Sequence, residues 1–383
     1  MENAIDFQLL NDEPWDCLII GAGLAGTAAA LRLSQLNLRV LLVERARFPR
    51  DKVCGGCLNQ RAIDILMRLG MRDAVVQAGA VSQAALELAT TDQRIRLAVP
   101  TGLSISRAAL DTLMSEAVID AGGCFVDGTK AVLGDVDGGH RIVTLYSDDG
   151  QKTVRARTVL AADGLHGGTL RSAGHEPRIA ADARVGAGTV LPAGSVRIEP
   201  GVIRMAIAVG GYVGAAMVEA GRIDVAAAFD PSFLRECNGP ADAANKILMS
   251  AGYAPVPVEA STKWKGTPPL TRRATVLGAE RVLVLGDAAG YIEPFTGEGM
   301  AWALTSGYAV APLVEHAVSH DVPLPLQEWR NVYRGHVGSR QLVCRGVATL
   351  LRYPLAVRMF LRALGWQPGL ATPLIRYINT PAF

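Results

Sequence analysis

A glycine-rich hexapeptide between a strand-like and a helix-like segment constrains this sequence most. Residues 16–20 form a short apolar run that predicts a buried strand, and Gly21-Ala22-Gly23-Leu24-Ala25-Gly26 follows it directly. A helix is predicted over 24–36, and a second strand over 39–43 ends at Glu44. In such a unit the first glycine makes a tight turn, the second lets the backbone approach a diphosphate, and the third lets helix pack on strand. The sequence therefore predicts a Rossmann-type dinucleotide site, with Glu44 accepting hydrogen bonds from ribose hydroxyls.

Further patterns extend this unit into an α/β architecture. Helices are predicted over about 60–69 and over 107–121, the second with Ser106 as N-cap. Strand-then-glycine segments recur at 158–164 and 281–287, hairpin strands are predicted over 84–99, and 183–265 contains strand-like patches. We predict a Rossmann-like nucleotide-binding domain, an inserted β-sheet substrate domain and a helical, basic C-terminal region. The predicted boundaries are 1–75, 100–181 and 270–320 for the first, 76–99 and 182–269 for the second, and 321–383 for the third.

Composition and charge exclude several classes of protein. Of the 383 residues, 50% are hydrophobic and 19% are charged, which is a globular rather than a disordered composition. The formal net charge of +2 gives no reason to expect nucleic acid as a partner. Six cysteines in a chain of this length do not form a disulfide scaffold. The acidic N-terminus lacks a signal-peptide pattern, and the uncharged stretch 299–314 is shorter than the ~20 residues of a spanning helix, so we expect a cytoplasmic location.

Four separated motifs indicate which dinucleotide is bound. They are the segment 48–56, Ser106-Arg107 with Leu110-Asp111, Ala162-Asp163-Gly164 with Arg171, and Gly286-Asp287-Ala288-Ala289-Gly290 followed by the segment 294–299. Over roughly residues 15–310 the chain resembles the FAD-dependent superfamily of aromatic hydroxylases, flavin halogenases and geranylgeranyl reductases. The resemblance implies FAD as cofactor and NAD(P)H as reductant. It implies cofactor contacts at Gly21, Gly23, Leu24, Ala25, Gly26, Glu44, Arg45, Cys54, Gly55, Arg107, Asp163, Gly286, Asp287, Pro294, Gly297, Gly299 and Met300.

The same resemblance leaves several reactions open. The motifs around 51–56 and 286–299 look most like geranylgeranyl reductases, which implies reduction of C=C bonds in an apolar prenyl, polyene or polyketide substrate. That branch often has a Y-x-W-x-F-P segment, whereas residues 211–216 here lack the tryptophan and the proline. The alternative is a monooxygenase that uses NAD(P)H and O₂. A halogenase is disfavoured because the sequence has no W-x-W and no lysine between Lys52 and Lys130. A further alternative is a protein that is not an enzyme and binds flavin only as an electron or ligand carrier.

Three residues are candidates for the chemistry itself, namely Cys54, Gly297 and Glu298. Cys54 and Cys57 form a C-G-G-C pattern, which predicts either a redox-active pair or a proton donor with a lowered thiol pKa, or simply small buried loop residues. His166 follows the Asp163-Gly164 motif, and we favour a hydrogen-bonded loop histidine over a proton-transfer group. No spacing of histidines and cysteines suits a metal, so no metal site is predicted.

The C-terminal region is basic and partly apolar. After Glu328 the sequence has eight arginines and no aspartate or glutamate. This pattern suits an amphipathic surface that meets anionic lipid or a carrier protein presenting a lipid-like substrate. It equally suits a helical cap whose arginines lie in water. The expected partners are therefore an apolar small-molecule or carrier-bound substrate and, through this region, a membrane surface.

Overall fold

The computed structural model describes residues 7, 10, 13–257, 263–293 and 295–383. Its strands in chain order are β1 (Trp15–Ile20), β2 (Val40–Val43), β3 (Cys57–Leu58), β4 (Val81–Ala89), β5 (Arg94–Ser104), β6 (Cys124–Val126), β7 (Lys130–Asp137), β8 (His140–Ser147), β9 (Gly150–Ala161), β10 (Arg178–Ile179), β11 (Val185–Leu191), β12 (Val202–Ala208), β13 (Gly211–Met217), β14 (Ile223–Phe229), β15 (Lys265–Pro269), β16 (Arg272–Arg273), β17 (Gly278–Ala279), β18 (Val282–Val284) and β19 (Gly290–Tyr291). Its helices are α1 (Leu24–Gln35), α2 (Gln60–Arg68), α3 (Arg72–Gln77), α4 (Arg107–Asp120), α5 (Gly168–Ser172), α6 (Pro231–Arg235), α7 (Pro240–Ser250), α8 (Gly286–Ala289), α9 (Gly299–Ser319), α10 (Leu326–Tyr333), α11 (Ser339–Leu350), α12 (Pro354–Trp366) and α13 (Thr372–Asn379).

The first sheet, sheet A, has the strand order β17-β18-β9-β1-β2-β6, with the β7–β8 hairpin extending from β9. Its central strands β18, β9, β1, β2 and β6 are parallel to their neighbours. The side chains of β1, β2 and β18 are buried along most of their length, as expected where helices cover both faces of a parallel sheet. Helix α1 packs against α4 and α9, and together with sheet A these helices form the largest hydrophobic core.

The second sheet, sheet B, has the order β15-β11-β14-β13-β12-β4-β5-β3. Its neighbours are antiparallel except for β12 and β4. One face packs against α7, and a separate core forms where the other face meets the C-terminal helices, through Leu97, Met205, Tyr212, Leu361 and Leu364 among others. The C-terminal helices therefore lie on the same side of sheet B as the site described below.

The predicted α/β fold class, with its Rossmann-like unit, second sheet and helical C-terminus, is confirmed. The hairpin predicted over 84–99 is longer and comprises β4 and β5, because pairing of the two strands continues to Val81 and Ser104. Strand β5 thus passes through the predicted domain boundary between 99 and 100. The domain boundaries themselves stay a prediction. Across the part of the chain that the structure describes, none of the helices has the length and apolarity needed to cross a bilayer.

Candidate active site

The carboxyl ends of four parallel strands lie level at one edge of sheet A. Ile20 of β1 is in register with Val43 of β2 and with Ala161 of β9. Ala161 is in turn in register with Val284 of β18. Ligands of open parallel sheets bind outside this edge. The register brings together the segments that follow the four strands, which are residues 21–26, 44–46, 162–164 and 285–287.

A cavity of about 1210 Å³ extends from this edge to the face of sheet B that meets the C-terminal helices. Sites for drug-sized ligands are about 300–1,000 Å³, so the volume exceeds what one such ligand needs. The end at sheet A is lined by charged and glycine residues. The end at sheet B is lined by apolar side chains, among them Leu88, Leu97, Ile203, Met205 and Leu364. The cavity thus has a polar half and an apolar half.

The glycine-rich turn lies in the polar half, at the N-terminus of α1. Gly21, Gly23, Leu24 and Ala25 line the cavity. No side chain caps this helix, so the backbone N–H groups of its first turn are left for a ligand. Gly26 lies behind the turn, where a Cβ atom would be 1.9 Å from the carbonyl oxygen of Gly21. The arrangement matches an anion site at a helix N-terminus, with Gly26 permitting the close packing of helix on strand.

Glu44 projects from the end of β2 beside this turn. Its Oε2 accepts a hydrogen bond of 3.0 Å from the Ala22 amide, and its Oε1 accepts one of 3.0 Å from the Ala46 amide. Both Glu44 and Arg45 line the cavity. Because two backbone donors fix the carboxylate, it is pre-oriented to accept hydrogen bonds from hydroxyl groups of a ligand.

Two arginines converge on the second glycine of the turn. Arg107 donates bidentately to Asp111, at 2.8 and 2.7 Å, and Arg50 lies 3.1 Å from the same buried carboxylate. A Cβ atom on Gly23 would be 3.8 Å from Arg107 Nη2 and 4.0 Å from Arg50 Nη2. Arg50 also lies 3.4 Å from Glu44 Oε2, so the two arginines are held by two carboxylates while their Nη2 atoms remain beside Gly23, where a diphosphate would lie. Arg50 stands inside the 48–56 motif, but the motif alone does not indicate that its side chain reaches the glycine turn.

Two aspartates follow β9 and β18 in the same half. Asp287 Oδ2 lies 2.9 Å from the Lys52 ammonium, a partner that the sequence did not identify. Asp163 Oδ2 accepts a hydrogen bond of 2.7 Å from the Thr169 amide, and burial raises the pKa of this carboxyl. Asp163 Oδ1 is buried, and no hydrogen-bond partner for it lies among the described residues. Since Asp163 lines the cavity, this oxygen is placed to accept a hydrogen bond from a bound group.

Gly286, also expected to contact the cofactor, does not line the cavity. Its amide instead donates a hydrogen bond of 3.0 Å to Ser306 Oγ.

The start of α9 borders the cavity between its two halves. Gly297, Gly299 and Met300 line it, whereas Glu298 does not. Glu298 is buried behind this wall, where it accepts a hydrogen bond of 3.1 Å from Thr296 and lies 3.5 Å from Arg340. Burial raises the pKa of Glu298 even with Arg340 beside it. Glu298 is therefore placed to fix the 296–299 turn rather than to touch a ligand. Pro294, also expected here, lies outside the described residues.

The cysteines of the C-G-G-C pattern line the cavity together with Gly55. Both thiols are free, and Cys57 donates to the Gly55 carbonyl at 3.0 Å. Burial raises the pKa of Cys57 to about 12 and also raises the pKa of Cys54, although the charge of Arg107 opposes the second shift. The expectation of a lowered thiol pKa is therefore wrong, because desolvation outweighs the nearby cations. A protonated Cys54 beside the cavity is placed to donate a proton.

Two tyrosines that sequence analysis did not single out lie between the halves of the cavity. Tyr291 lines the cavity, and its hydroxyl would be 3.1 Å from a Cβ atom on Gly299. Burial raises its pKa well above the ordinary value, and the negative charge of Asp287 adds to the shift. Tyr212 also lines the cavity and packs edge-on against Phe295 at 5.1 Å. The signal in the sequence is the position of Tyr291, four residues after Asp287.

His166 lies at the rim of the same cavity and is exposed. Desolvation and the charges of Arg45 and Arg171 lower its pKa, so it is neutral at pH 7. Within the described residues no group of three or more histidine, cysteine, aspartate or glutamate side chains is arranged to hold a metal ion.

Comparison with known proteins identifies the family. The model of the FAD binding domain family matches residues 15–317. The chain belongs to this family. It is 27% identical over 372 residues to a menaquinone reductase of Mycolicibacterium smegmatis, covering 88% of this chain and 85% of that protein. It is 25% identical over 300 residues to digeranylgeranylglycerophospholipid reductase 2 of Methanothermobacter thermautotrophicus, covering 75% and 74%.

Solved structures show the same fold at lower identity. A flavin-dependent brominase superposes with a TM-score of 0.81 over 97% of this chain and 94% of its own, at 16% identity. The predicted resemblance to the superfamily of hydroxylases, halogenases and geranylgeranyl reductases is thus confirmed, and this protein is an FAD-dependent oxidoreductase. The polar half fits FAD, because it combines an uncapped helix N-terminus, two arginines beside Gly23 and an Asp163 oxygen that has no partner among the described residues.

Substitution of Arg107 tests this cradle. We expect Arg107→Ala to weaken FAD affinity about 10- to 100-fold, as the loss of one charged hydrogen-bonding group to the diphosphate does. It also leaves Asp111 with Arg50 alone. The measurement is fluorescence titration of the apoprotein with FAD. Arg155→Ala, on an exposed part of β9, is the matched control. Equal FAD affinity in both variants and the native protein would contradict the assignment.

Proposed function

We propose that this enzyme reduces C=C bonds in a long apolar substrate of the prenyl, polyene or polyketide type. The observation that carries the proposal is the apolar half of the cavity, which continues from the cofactor cradle and ends among leucine, isoleucine and methionine side chains. Small residues of β13 and β14 on the cavity face, such as Ala216, Ala226 and Ala228, also line this space and take up little of it. An extended apolar chain fits such a space, and burial there drives its binding.

The names of two relatives support a reductase acting on compounds of this kind. One is a menaquinone reductase and the other a digeranylgeranylglycerophospholipid reductase, and each aligns along most of its length. The segment 211–216 lacks the tryptophan and proline of the geranylgeranyl branch, and in the structure it is β13, where Tyr212 and Gly214 line the cavity. We therefore place the specificity for the chain in β13 and its neighbours.

Bound FAD supplies two-electron chemistry as a hydride. In our proposal the turn of Gly21 and Gly23 holds the diphosphate together with Arg50 and Arg107, and Glu44 holds the ribose. The N-terminus of α9, at Gly299 and Met300, stabilises negative charge at the flavin edge. NAD(P)H is the proposed two-electron donor.

Saturation of a C=C bond requires a proton in addition to a hydride, and the structure offers two donors beside the cavity. Tyr291 and Cys54 both line it, and burial raises the pKa of each, so both are protonated at neutral pH. Tyr291 is the better placed, because its hydroxyl lies next to Gly299, at the boundary of the polar and apolar halves. We propose Tyr291 as proton donor to the substrate and Cys54 as the second candidate.

Anaerobic turnover tests the reaction class. Under anaerobic conditions, enzyme loaded with FAD is mixed with NADH or NADPH and with geranylgeraniol or menaquinone. The mass of the product is then measured by mass spectrometry. We expect a product that has gained two hydrogen atoms for each bond reduced. A product that forms only in air and carries an added oxygen atom would instead establish the monooxygenase alternative.

A further inference from the structure

The outer face of α12 carries an apolar stripe beside two arginines. Leu355, Met359 and Trp366 are 74%, 73% and 88% exposed. Their spacings of four and seven residues place them on one side of the helix. Arg358 and Arg362 lie one residue before Met359 and three residues after it, so both lie along one edge of the same stripe. We call this surface, with the exposed Leu370 that follows α12, the C-terminal face.

The exposed apolar side chains are concentrated in this region. Of the sixteen large hydrophobic side chains that are exposed among the described residues, nine belong to residues 342–383. Soluble proteins rarely expose contiguous apolar surface without a partner that covers it. A tryptophan and leucines on a helix that also carries arginines is the composition of helices that lie in the plane of a membrane interface.

The charge of the region selects an anionic partner. From Trp329 to Phe383 the sequence has eight arginines and no lysine, aspartate or glutamate. Within the described residues Arg345, Arg362 and Arg376 make no ion pair, whereas Arg358 is paired with Asp92 at 2.7 Å. An unpaired arginine beside the apolar stripe, Arg362, in a region without acidic residues suits a surface that offers negative charge and hydrocarbon together, as an anionic bilayer does.

The same helix joins this face to the cavity. Leu364, on the opposite side of α12, is 1% exposed and lines the apolar half. Phe360 also lines the cavity but is 40% exposed, so it lies where the cavity wall reaches the surface. Leu374 and Ile375 of α13 continue the same wall. The apolar lining of the cavity therefore reaches the protein surface at Phe360 of α12.

We propose that the C-terminal face docks on anionic lipid bilayers, and that the apolar substrate passes from the bilayer into the cavity beside Phe360. The passage of substrate rests on the proposed function, whereas the docking does not. In this proposal the inner side of α12 closes the cavity, and its outer side contacts lipid.

Vesicle flotation of the FAD-loaded protein tests the docking without reference to turnover. The vesicles are phosphatidylcholine alone or phosphatidylcholine with phosphatidylglycerol, at low and at high salt. We expect binding to the anionic vesicles at low salt and loss of binding at high salt. Arg362→Glu should lower the partition coefficient about fivefold or more, since each arginine near such a surface contributes about 1 kcal/mol. Absence of flotation with anionic vesicles at low salt overturns the proposal.

Matched variants separate this face from the rest of the surface. The triple change of Leu355, Met359 and Trp366 to serine should abolish flotation, and these side chains are too exposed for the change to unfold the protein. The control combines Val209→Ser, Met249→Ser and Arg155→Glu, which are exposed positions outside the C-terminal face and should float as the native protein does. Equal flotation of the two variants overturns the proposal, as does binding to an acidic acyl carrier protein with no binding to vesicles.

Two further readouts distinguish the docking from the reaction. Trp366 fluorescence, taken as the difference from Trp366→Phe, should shift to the blue on addition of anionic vesicles, and an unchanged spectrum overturns the docking.

The triple serine variant should retain turnover of a short, water-soluble prenyl alcohol, while its turnover of a vesicle-embedded substrate should fall at least tenfold. Equal losses on both substrates overturn the proposed passage. Failure of the reaction itself appears as absence of turnover in the native protein, with flotation intact.

Discussion

Replacing Gly26 with valine yields a protein without flavin colour and with a lower melting temperature. A Cβ atom at this position would lie 1.9 Å from the carbonyl oxygen of Gly21 and 3.3 Å from Ile19 Cγ2. Because the overlapping atom belongs to the backbone, it cannot move aside as the end of a flexible side chain can. Helix α1 must therefore move away from β1. The N-terminus of α1 then leaves the diphosphate position, and overpacking alone costs about 1–3 kcal/mol or more. We therefore expect both FAD binding and stability to be lost.

The ratio of visible flavin absorbance to protein absorbance, together with thermal unfolding, measures both effects. Gly346→Ala is the matched control, because it lies in α11 with no atom within 4 Å of its Cβ position. This change should leave flavin content unchanged and raise stability slightly, by up to ~1 kcal/mol. A yellow, stable Gly26→Val protein would show that α1 does not depend on this packing.

Replacing Tyr291 with phenylalanine lowers kcat for C=C reduction by about 10²- to 10⁴-fold, the usual contribution of a general acid. The ring still packs edge-on against Trp302, 6.2 Å away between centroids, so the fold and the flavin content are retained. KM changes little, because the cavity loses one hydroxyl and keeps its apolar lining. The loss falls on the proton-transfer step, since the hydroxyl beside Gly299 is the group removed.

Tyr212→Phe is the control, because Tyr212 lines the same cavity and packs against Phe295, whereas the hydroxyl beside Gly299 is that of Tyr291. We expect it to retain kcat within a few-fold. Turnover of the native enzyme should remain constant as pH rises past 10, the ordinary tyrosine pKa, because burial raises the pKa of Tyr291 and the protonated form persists. A large loss in Cys54→Ser with none in Tyr291→Phe would move the proton donor to the cysteine.

The parts of the site that sequence analysis located are those encoded by local patterns. The glycine turn, Glu44 and the segments around Asp163 and Asp287 each follow a parallel strand, and strand ends meet by the geometry of the sheet. Their meeting therefore required no knowledge of side-chain packing. The fold class followed in the same way, from the alternation of strands, glycines and helices.

The parts that it missed depend on contacts between distant residues. Lys52 and Asp287 are separated by 235 positions, and Asp111 serves two arginines, Arg50 and Arg107. The protonation of Cys54 depends on how deeply its loop is buried, which the C-G-G-C pattern does not encode. The lining contributed by α12 and α13 was invisible for a related reason, since an amphipathic pattern shows which side of a helix is apolar but not what covers it.

The two halves of the cavity are completed at different points along the chain. During synthesis, the segments that line the polar half are complete once the chain has been extended to Gly299, at the start of α9. Helices α11 to α13, which cover the apolar half, begin only at Ser339 and are therefore synthesised later. A growing chain can therefore acquire its cofactor while the apolar half still lacks its cover. Bound FAD then stabilises the folded part of the chain on which the last helices must pack, by simple mass action. Supply of riboflavin during synthesis should accordingly govern how much of this protein reaches its closed form, as well as how much of it is active.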